Sequence, residues 1–179
     1  YLSKEMGLEV HAALANTGGF SAEELASIEK RAYDLGVKSY VALDVTQDYY
    51  QHAIKYMIFG NVLRNKTYPI SVSSERTFQA LAIVRYAKEI GADALAHGST
   101  GAGNDQVRFD LCFSVFAPGM EIITPTRDLK LSREEEIAYL RSKGVERDWS
   151  KMAYSINKGL WGTSVGGCET LSSHLYLPE

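Results

Sequence analysis

The strongest constraint on the fold is a regular alternation of short apolar runs with helical segments. The apolar runs are bounded by turn residues and predict four strands, over 8–16, 38–45, 92–98 and 120–125. Between them, apolar residues recur at the spacing of one helical face. Strands that alternate with helices form a parallel sheet covered on both faces, so the sequence predicts a doubly wound α/β fold.

Two of the helices carry start and stop signals. Ser21 with Glu24, and Ser132 with Glu135, have the spacing of a capping box. A glycine follows each of these helices and predicts its end. The other helices are predicted over 46–63, 74–90 and 107–116, with a loop-rich tail from residue 145 onward.

The composition argues against several classes of partner and site. The net charge is −3 and no basic tract occurs, which argues against a nucleic-acid partner. Two cysteines, Cys112 on an apolar helix face and Cys168 in a glycine-rich loop, are too few for a zinc cluster or a disulfide framework. No apolar run reaches the length of a membrane span. We therefore expect a reduced, cytoplasmic protein without a metal site built from its side chains.

Three polar segments follow predicted strands directly. They are ANTGG over 15–19, Asp44, and HGSTGAGND over 97–105. In doubly wound folds, ligands bind beyond the carboxyl ends of the strands. The sequence therefore predicts a ligand site at this edge of the sheet.

The third segment continues into a run, HGSTGAGNDQVRF, that cannot bury much apolar surface. Its glycines allow backbone N–H groups to approach an anion closely. Asn104 and Asp105 are expected either to cap the following helix or to bind a ligand. Arg108, one turn further on, offers a fork for a carboxylate. His97 stands alone and is expected to make structural hydrogen bonds.

A second unusual run, YSINKGLWGTSVGG, covers residues 154–167. Its glycines, serines and single tryptophan indicate an ordered loop. A surface segment that only covers the sheet has the same composition, and the residues alone leave both interpretations open.

Together the two runs resemble the argininosuccinate synthase family. Its members carry a similar HG-T-G-GNDQVRF loop followed by a similar S…NLWG-S loop, and ALANTGG corresponds to the end of the family's second strand. The resemblance implies a Rossmann-like nucleotide-binding domain of the ATP-pyrophosphatase type. It also implies ligation of citrulline and aspartate through a citrullyl-adenylate, with release of AMP and pyrophosphate. ATP and Mg²⁺ are the implied cofactors, and a cytoplasmic homotetramer is the implied assembly.

The resemblance also implies which residues of this chain meet each substrate. Ala15 and Gly98 would line the ATP site. Aspartate would be held by Thr100, Asn104 and Asp105. The residues implied to hold citrulline are Tyr68, Ser73, Asn104, Arg108, Ser155 and Ser164. None of them is an obvious general base, so positioning and charge stabilisation are expected to carry the catalysis.

Three departures from the family pattern qualify these implications. Ala102 stands where the family usually has lysine. PISVSSERTF follows Tyr68 in place of the family's usual run, which leaves open whether citrulline or an acylated citrulline is the substrate. The family's first strand and SGGLDTS loop have no counterpart in this sequence. We therefore expect an inactive fragment: a nucleotide-binding domain over 1–150 without its first strand, and a segment over 151–179 leading toward a synthetase domain.

Two other functions are weighed against this one. A non-catalytic adenine-nucleotide-binding module needs the same fold without turnover. Another adenylating enzyme of the fold, such as a tRNA thiouridylase, usually needs a basic surface, which the net charge of −3 disfavours.

Overall fold

The computed structural model describes residues 1–101, 103–145 and 154–176 of the chain. Its strands are β1 (His11–Asn16), β2 (Ser39–Asp44), β3 (Ala94–Ala96), β4 (Glu121–Ile123), β5 (Ser155–Gly159) and β6 (Gly162–Gly166). Its α-helices are α1 (Ala22–Asp34), α2 (Thr46–Tyr49), α3 (Lys55–Phe59), α4 (Ser71–Glu89), α5 (Asn104–Phe116), α6 (Pro125–Leu129) and α7 (Arg133–Ser142). A π-helical turn (Tyr50–Ile54) joins α2 to α3, and a 3₁₀ turn (Cys168–Leu171) follows β6. None of the described helices has the length and apolar character needed to cross a membrane.

The predicted strands pair in parallel, as the alternation of elements requires. β1 pairs with β2 from His11↔Ser39 to Asn16↔Asp44, and β3 pairs with β4 over three residues. Helices connect the strands within and between the two pairs. This arrangement confirms the Rossmann-like α/β class. Within the described ranges, each of these strands has a hydrogen-bonded strand partner on one side only.

Local side-chain and backbone contacts set the helix starts. The start of α5 differs from the capping expected of Asn104 and Asp105. Both capping boxes are present: in α1, the N–H of Ser21 donates to Glu24 Oε2 at 2.8 Å, and α7 repeats the pattern. At α5, however, Gly103 is the capping residue and no side chain accepts a capping hydrogen bond. Asn104 and Asp105 are therefore the first residues of α5 and not its caps. The carboxylate of Asp105 is occupied by two arginines instead.

The core lies between α4, α5 and β3. Its buried members are Ala80, Val84, Ala87, Leu95, Cys112, Phe113 and Ala117. Cys112 is thus a core residue, as predicted, and its burial raises the pKa of the thiol. This core fixes α5 against α4, which in turn fixes the glycine-rich loop that precedes α5.

The predicted loop-rich tail is wrong over residues 155–166. β5 and β6 form an antiparallel hairpin with the register Ser155↔Gly166, Asn157↔Ser164 and Gly159↔Gly162. The strands are rich in glycine and polar residues, so the sequence shows no clear alternation of apolar and polar positions. Contacts with the rest of the molecule, described below, hold the hairpin in place.

Candidate active site at the carboxyl ends of the strands

The turn after β1 packs directly against the hairpin. The backbone N–H of Leu160 donates to the carbonyl oxygen of Thr17 at 2.7 Å. A Cβ added at Gly19 would overlap the carbonyl oxygen of Lys158, so the turn needs glycine at that position. The Asn16 side chain accepts from the N–H of Gly18 at 2.9 Å and stabilises the turn. The ANTGG and YSINKGLWGTSVGG runs are therefore in direct contact, although they are far apart in the sequence.

The hairpin also contacts the segment that leads into α4. The indole N–H of Trp161 donates to the carbonyl oxygen of Pro69 at 2.6 Å. Next to Pro69, the Tyr68 hydroxyl lies 3.3 Å from the Ser71 hydroxyl. Tyr68 is 37% exposed, so its ring is accessible at the edge of this contact. The tail segment is thus an ordered part of the site, which favours the first of the two interpretations left open by the sequence.

The loop between β3 and α5 surrounds a cavity of about 270 Å³. Its lining residues are Ser99, Thr100, Gly103, Asn104, Asp105 and Arg108. Four of the predicted substrate-binding residues therefore share one cavity: Thr100, Asn104, Asp105 and Arg108. Ala102, the departure from the family pattern in this loop, lies outside the described residues.

The carboxylate of Asp105 lies between two guanidinium groups. Arg108 Nη1 donates to Asp105 Oδ1 at 2.8 Å, and Arg76 Nε donates to Asp105 Oδ2 at 3.1 Å. The Arg108 side chain is 26% exposed and the Arg76 side chain 13%. Within the described ranges, Arg108 makes no other hydrogen bond, so its Nε and Nη2 donors remain for a ligand.

His97, Asp110 and Arg127 form a second charged cluster beside this loop. His97 is nearly buried, and its Nε2 lies 2.7 Å from Asp110 Oδ1. Its Nδ1 accepts from the N–H of Ser99 at 3.2 Å, which places the ring proton on Nε2, facing Asp110. Arg127 donates to Asp110 Oδ2 at 2.5 Å. His97 thus makes the structural hydrogen bonds expected of it.

The environment of Asp110 favours its charged form. Burial alone would raise the pKa of this carboxyl group. The hydrogen bonds from Arg127 and His97, together with the positive charge of Arg127, outweigh burial and lower the pKa below its usual value. The ionised carboxylate is therefore the form that holds the loop.

Asp110→Asn tests this support through its pH dependence. Because the folded-state pKa is lowered, the carboxylate stabilises the fold above the ordinary Asp pKa of about 4, and this stabilisation is lost as the pH falls through the lowered value. We expect the variant to be less stable than the parent by about 1 kcal/mol at pH 7. The difference should shrink below about pH 4. Urea unfolding at several pH values measures it.

Asp48→Asn is the matched control for this experiment. Asp48 pairs with Arg85 at 3.0 Å, and both side chains are exposed. An exposed pair of this kind contributes less than about 1 kcal/mol, so the control should change little at pH 7. A pH-independent difference between the parent and Asp110→Asn would contradict the assigned charge state.

The other predicted site residues lie at the strand ends, at the start of α4 and on the hairpin. Ala15 is near the end of β1, and Gly98 follows β3 and lines a second cavity of about 250 Å³ together with Ala96, Pro125 and Thr126. Ser73 lies in the first turn of α4. Ser155 and Ser164 lie on β5 and β6, and the pairing register places them on the same face of the hairpin.

Several groups that build the site were missed by the sequence analysis. They are Arg76, Asp110, Arg127 and Trp161. Arg76 stands in a segment that was noted only as a departure, and Trp161 was noted only as part of an ordered run. The sequence did offer one signal for Asp110: it lies two residues after Arg108, directly behind the glycine-rich run. Only Arg108 was interpreted as a site residue.

No side-chain metal site is found within the described ranges. They contain no group of three or more histidine, cysteine, aspartate or glutamate side chains with the geometry to hold a metal ion.

Comparison with known proteins identifies the family. The sequence model described as "Arginosuccinate synthase N-terminal HUP domain" matches residues 1–146. The argininosuccinate synthase of Sulfolobus acidocaldarius is 41% identical over 145 residues, covering 81% of this chain and 37% of that protein. That of Methanocaldococcus jannaschii is 38% identical over 157 residues, covering 88% of this chain and 40% of that protein.

A bacterial relative extends the match further along the chain. The argininosuccinate synthase of Parasynechococcus marenigrum is 39% identical over 166 residues, covering 92% of this chain and 41% of that protein. The chain therefore spans between 37% and 41% of the length of these three relatives. The parallel strand pairs and helices described above agree with the family's HUP domain. This chain belongs to the argininosuccinate synthase family.

Proposed function

We propose that this chain is part of an ATP-dependent ligase that joins citrulline and aspartate into argininosuccinate, releasing AMP and pyrophosphate. The observation that carries the proposal is the cavity before α5, where a carboxylate and a guanidinium, those of Asp105 and Arg108, line the same space. An α-amino acid carries an ammonium and a carboxylate on one carbon. A cavity lined by both complementary charges fits such a ligand.

Each substrate has a set of groups that fits it. We assign Asp105 to the aspartate amino group and Thr100 to an aspartate carboxylate, with Asn104 between the two amino acids. Arg108 receives the citrulline carboxylate through its remaining N–H donors. The serines of the hairpin, Ser155 and Ser164, and the hydroxyls of Tyr68 and Ser73 complete the citrulline side.

The nucleotide is assigned to the neighbouring strand ends. Gly98 lines the second cavity beside Thr126, and its backbone faces this space without a side chain. The lining is mostly apolar with a few polar groups, which suits the adenosine part of ATP. The small side chain of Ala15 at the end of β1 leaves its backbone accessible to the same ligand. Magnesium held on the phosphate oxygens would neutralise the charge of the pyrophosphate leaving group.

The reaction that we propose has two displacement steps. The ureido oxygen of citrulline attacks the α-phosphorus of ATP, and the bond to pyrophosphate breaks. The amine of aspartate then attacks the activated ureido carbon, and the bond to AMP breaks. The residues of this chain hold the two amino acids within reach of the nucleotide, so their contribution is orientation and charge complementarity.

Isotope labelling tests both the assignment and the mechanism. The intact protein that carries this sequence is supplied with ATP, magnesium, aspartate and citrulline labelled at the ureido oxygen. We expect pyrophosphate release that requires both amino acids, and label in the AMP. Absence of pyrophosphate would contradict the ligase assignment. Pyrophosphate release with unlabelled AMP would contradict the adenylate.

The same assay separates the alternative functions. A non-catalytic nucleotide-binding module would bind ATP without releasing pyrophosphate. A ligase of another specificity would release pyrophosphate without a requirement for citrulline. Acylated citrulline, offered in parallel, shows whether the free or the acylated amino group is accepted.

The behaviour of the 179 residues alone is a separate proposal. The relatives carry more than half of their length outside the matched region. We propose that residues 1–150 act as the nucleotide-binding part, that residues 151–179 lead toward a synthetase part, and that the isolated 179 residues are inactive. A cytoplasmic homotetramer is proposed for the intact protein. Gel filtration and the pyrophosphate assay on both forms test these points.

A further inference from the structure

Two adjacent residues in the second turn of α4 connect three segments of the candidate site: the turn after β1, the hairpin and the start of α5. Glu75 is 5% exposed and the Arg76 side chain is 13% exposed, so both are largely enclosed by other parts of the chain. Burying two charged side chains is unfavourable unless each finds partners. The partners of each residue show what they connect.

Glu75 reaches the turn after β1. The Thr17 hydroxyl, itself buried, donates to Glu75 Oε1. Thr17 also provides the carbonyl oxygen that receives the N–H of Leu160 at the tip of the hairpin. A Cβ added at Gly159 would lie 2.5 Å from Glu75 Oε1, so β5 passes directly over the carboxylate. Glu75 thus lies where the β1 turn and the hairpin meet.

Arg76 reaches the other side of the site. Its Nε donates to Asp105 Oδ2 at 3.1 Å, and its Nη2 donates to the side-chain oxygen of Asn157 on β5. Its Nη1 donates to Gln79 on the same helix at 3.0 Å. One guanidinium therefore connects the start of α5, the hairpin and α4.

The hairpin face that Arg76 and Glu75 contact is the face that carries the predicted serines. The pairing register places Ser155, Asn157 and Gly159 on one face with Gly162, Ser164 and Gly166. Asn157 is directly opposite Ser164. A shift of Asn157 relative to Arg76 would therefore move Ser164 by a similar distance.

We propose that Glu75 and Arg76 are positioning residues that hold the serine-bearing face of the hairpin at a fixed distance from Asp105 and Arg108. The proposal rests on the function proposed above, because it assigns these residues to the alignment of the two amino-acid substrates. Arg76 has a second effect on the same site. By pairing with one oxygen of Asp105, it leaves Arg108 only the other oxygen, so Arg108 retains donors for a substrate carboxylate.

Arg76→Gln, with Arg85→Gln as its matched control, tests the proposal in the intact protein. Arg85 is on the same helix, and its side chain is 69% exposed in a pair with Asp48. Both substitutions remove one positive charge from α4. We expect Arg76→Gln to raise the KM for citrulline and the KM for aspartate by roughly tenfold or more, with a smaller change in kcat. Arg85→Gln should match the parent.

Two further variants resolve the parts of the network. Asn157→Ala removes only the hairpin acceptor, so we expect a rise in the citrulline KM and little change in the aspartate KM. It also keeps the test informative if Arg76→Gln does not fold. Arg76→Lys retains the charge but cannot reach three acceptors, and its KM values should lie between those of the parent and Arg76→Gln.

The outcomes separate this proposal from the one on which it rests. A parent protein that releases no pyrophosphate with citrulline and aspartate overturns the proposed function. An active parent with Arg76→Gln indistinguishable from Arg85→Gln overturns the positioning role. A loss of kcat in Arg76→Gln at unchanged KM values also overturns the positioning role. A purely structural role lowers the fraction of active protein but leaves the substrate affinity of the active molecules unchanged.

Discussion

Gly19→Ala is expected to lower the free energy of unfolding by about 3 kcal/mol and to remove most of the proposed activity. The added methyl group would overlap the carbonyl oxygen of Lys158, which belongs to the backbone of β5 and cannot rotate away. Relieving the overlap requires the hairpin to move, which breaks the hydrogen bond from Leu160 N–H to the Thr17 carbonyl. Urea unfolding and the pyrophosphate assay measure the two effects.

Gly166→Ala is the matched control for Gly19→Ala. Gly166 lies on the same hairpin, has no left-handed backbone conformation, and a Cβ there would meet no atom within 4 Å. Its substitution should change the free energy of unfolding by less than about 0.5 kcal/mol. Equal effects of the two substitutions would contradict the close packing of the β1 turn against β5.

Arg108→Ala is expected to weaken citrulline binding by about 1.5 to 3 kcal/mol, which corresponds to a rise in KM of roughly 10- to 150-fold. The physical reason is the loss of the guanidinium that we propose binds the citrulline carboxylate. The structure adds that the fold should tolerate the change. Asp105 keeps its partner Arg76, so its partly exposed carboxylate is not left without a cation. The citrulline and ATP dependence of pyrophosphate release measures the effect.

Val107→Ala serves as the control on the same turn of α5. Val107 is 59% exposed and its truncation removes no charge. We expect the KM values of this variant to match those of the parent. An effect of Arg108→Ala on the ATP dependence alone, with citrulline unaffected, would contradict the role assigned to Arg108.

The elements that the sequence predicted correctly are those that local chemistry decides. The capping boxes at Ser21 and Ser132 determine where α1 and α7 begin. Each box is contained within four consecutive residues, so a local pattern is enough to recognise it. The four apolar runs gave the strands of the two parallel pairs. The hairpin was missed because its strands are polar and glycine-rich, and because tertiary contacts such as Trp161 to Pro69 stabilise it.

In the candidate site too, the sequence predicted the residues of one local motif and missed those that act through distant partners. Thr100, Asn104, Asp105 and Arg108 belong to one continuous motif, so a single run of sequence pointed to the cavity they line. Arg76 and Asp110 act through partners that are distant in sequence. Arg76 meets Asp105 across 29 residues and Asn157 across 81, and no local pattern specifies such a pairing. The substrate roles of all these residues stay predictions until the variants are measured.

The attachment of the hairpin has a consequence for folding. Trp161 and Pro69 are 92 residues apart, and Arg76 and Asn157 are 81 apart, so both contacts close long loops. Closing long loops costs chain entropy before any contact forms, and contacts of this kind slow folding. The hairpin buries few apolar side chains, so we expect it to open locally while the core stays folded. We therefore expect a ligand that bridges the hairpin and the α5 loop to stabilise the hairpin by its binding free energy, so that ligand binding and the docking of the hairpin are thermodynamically linked.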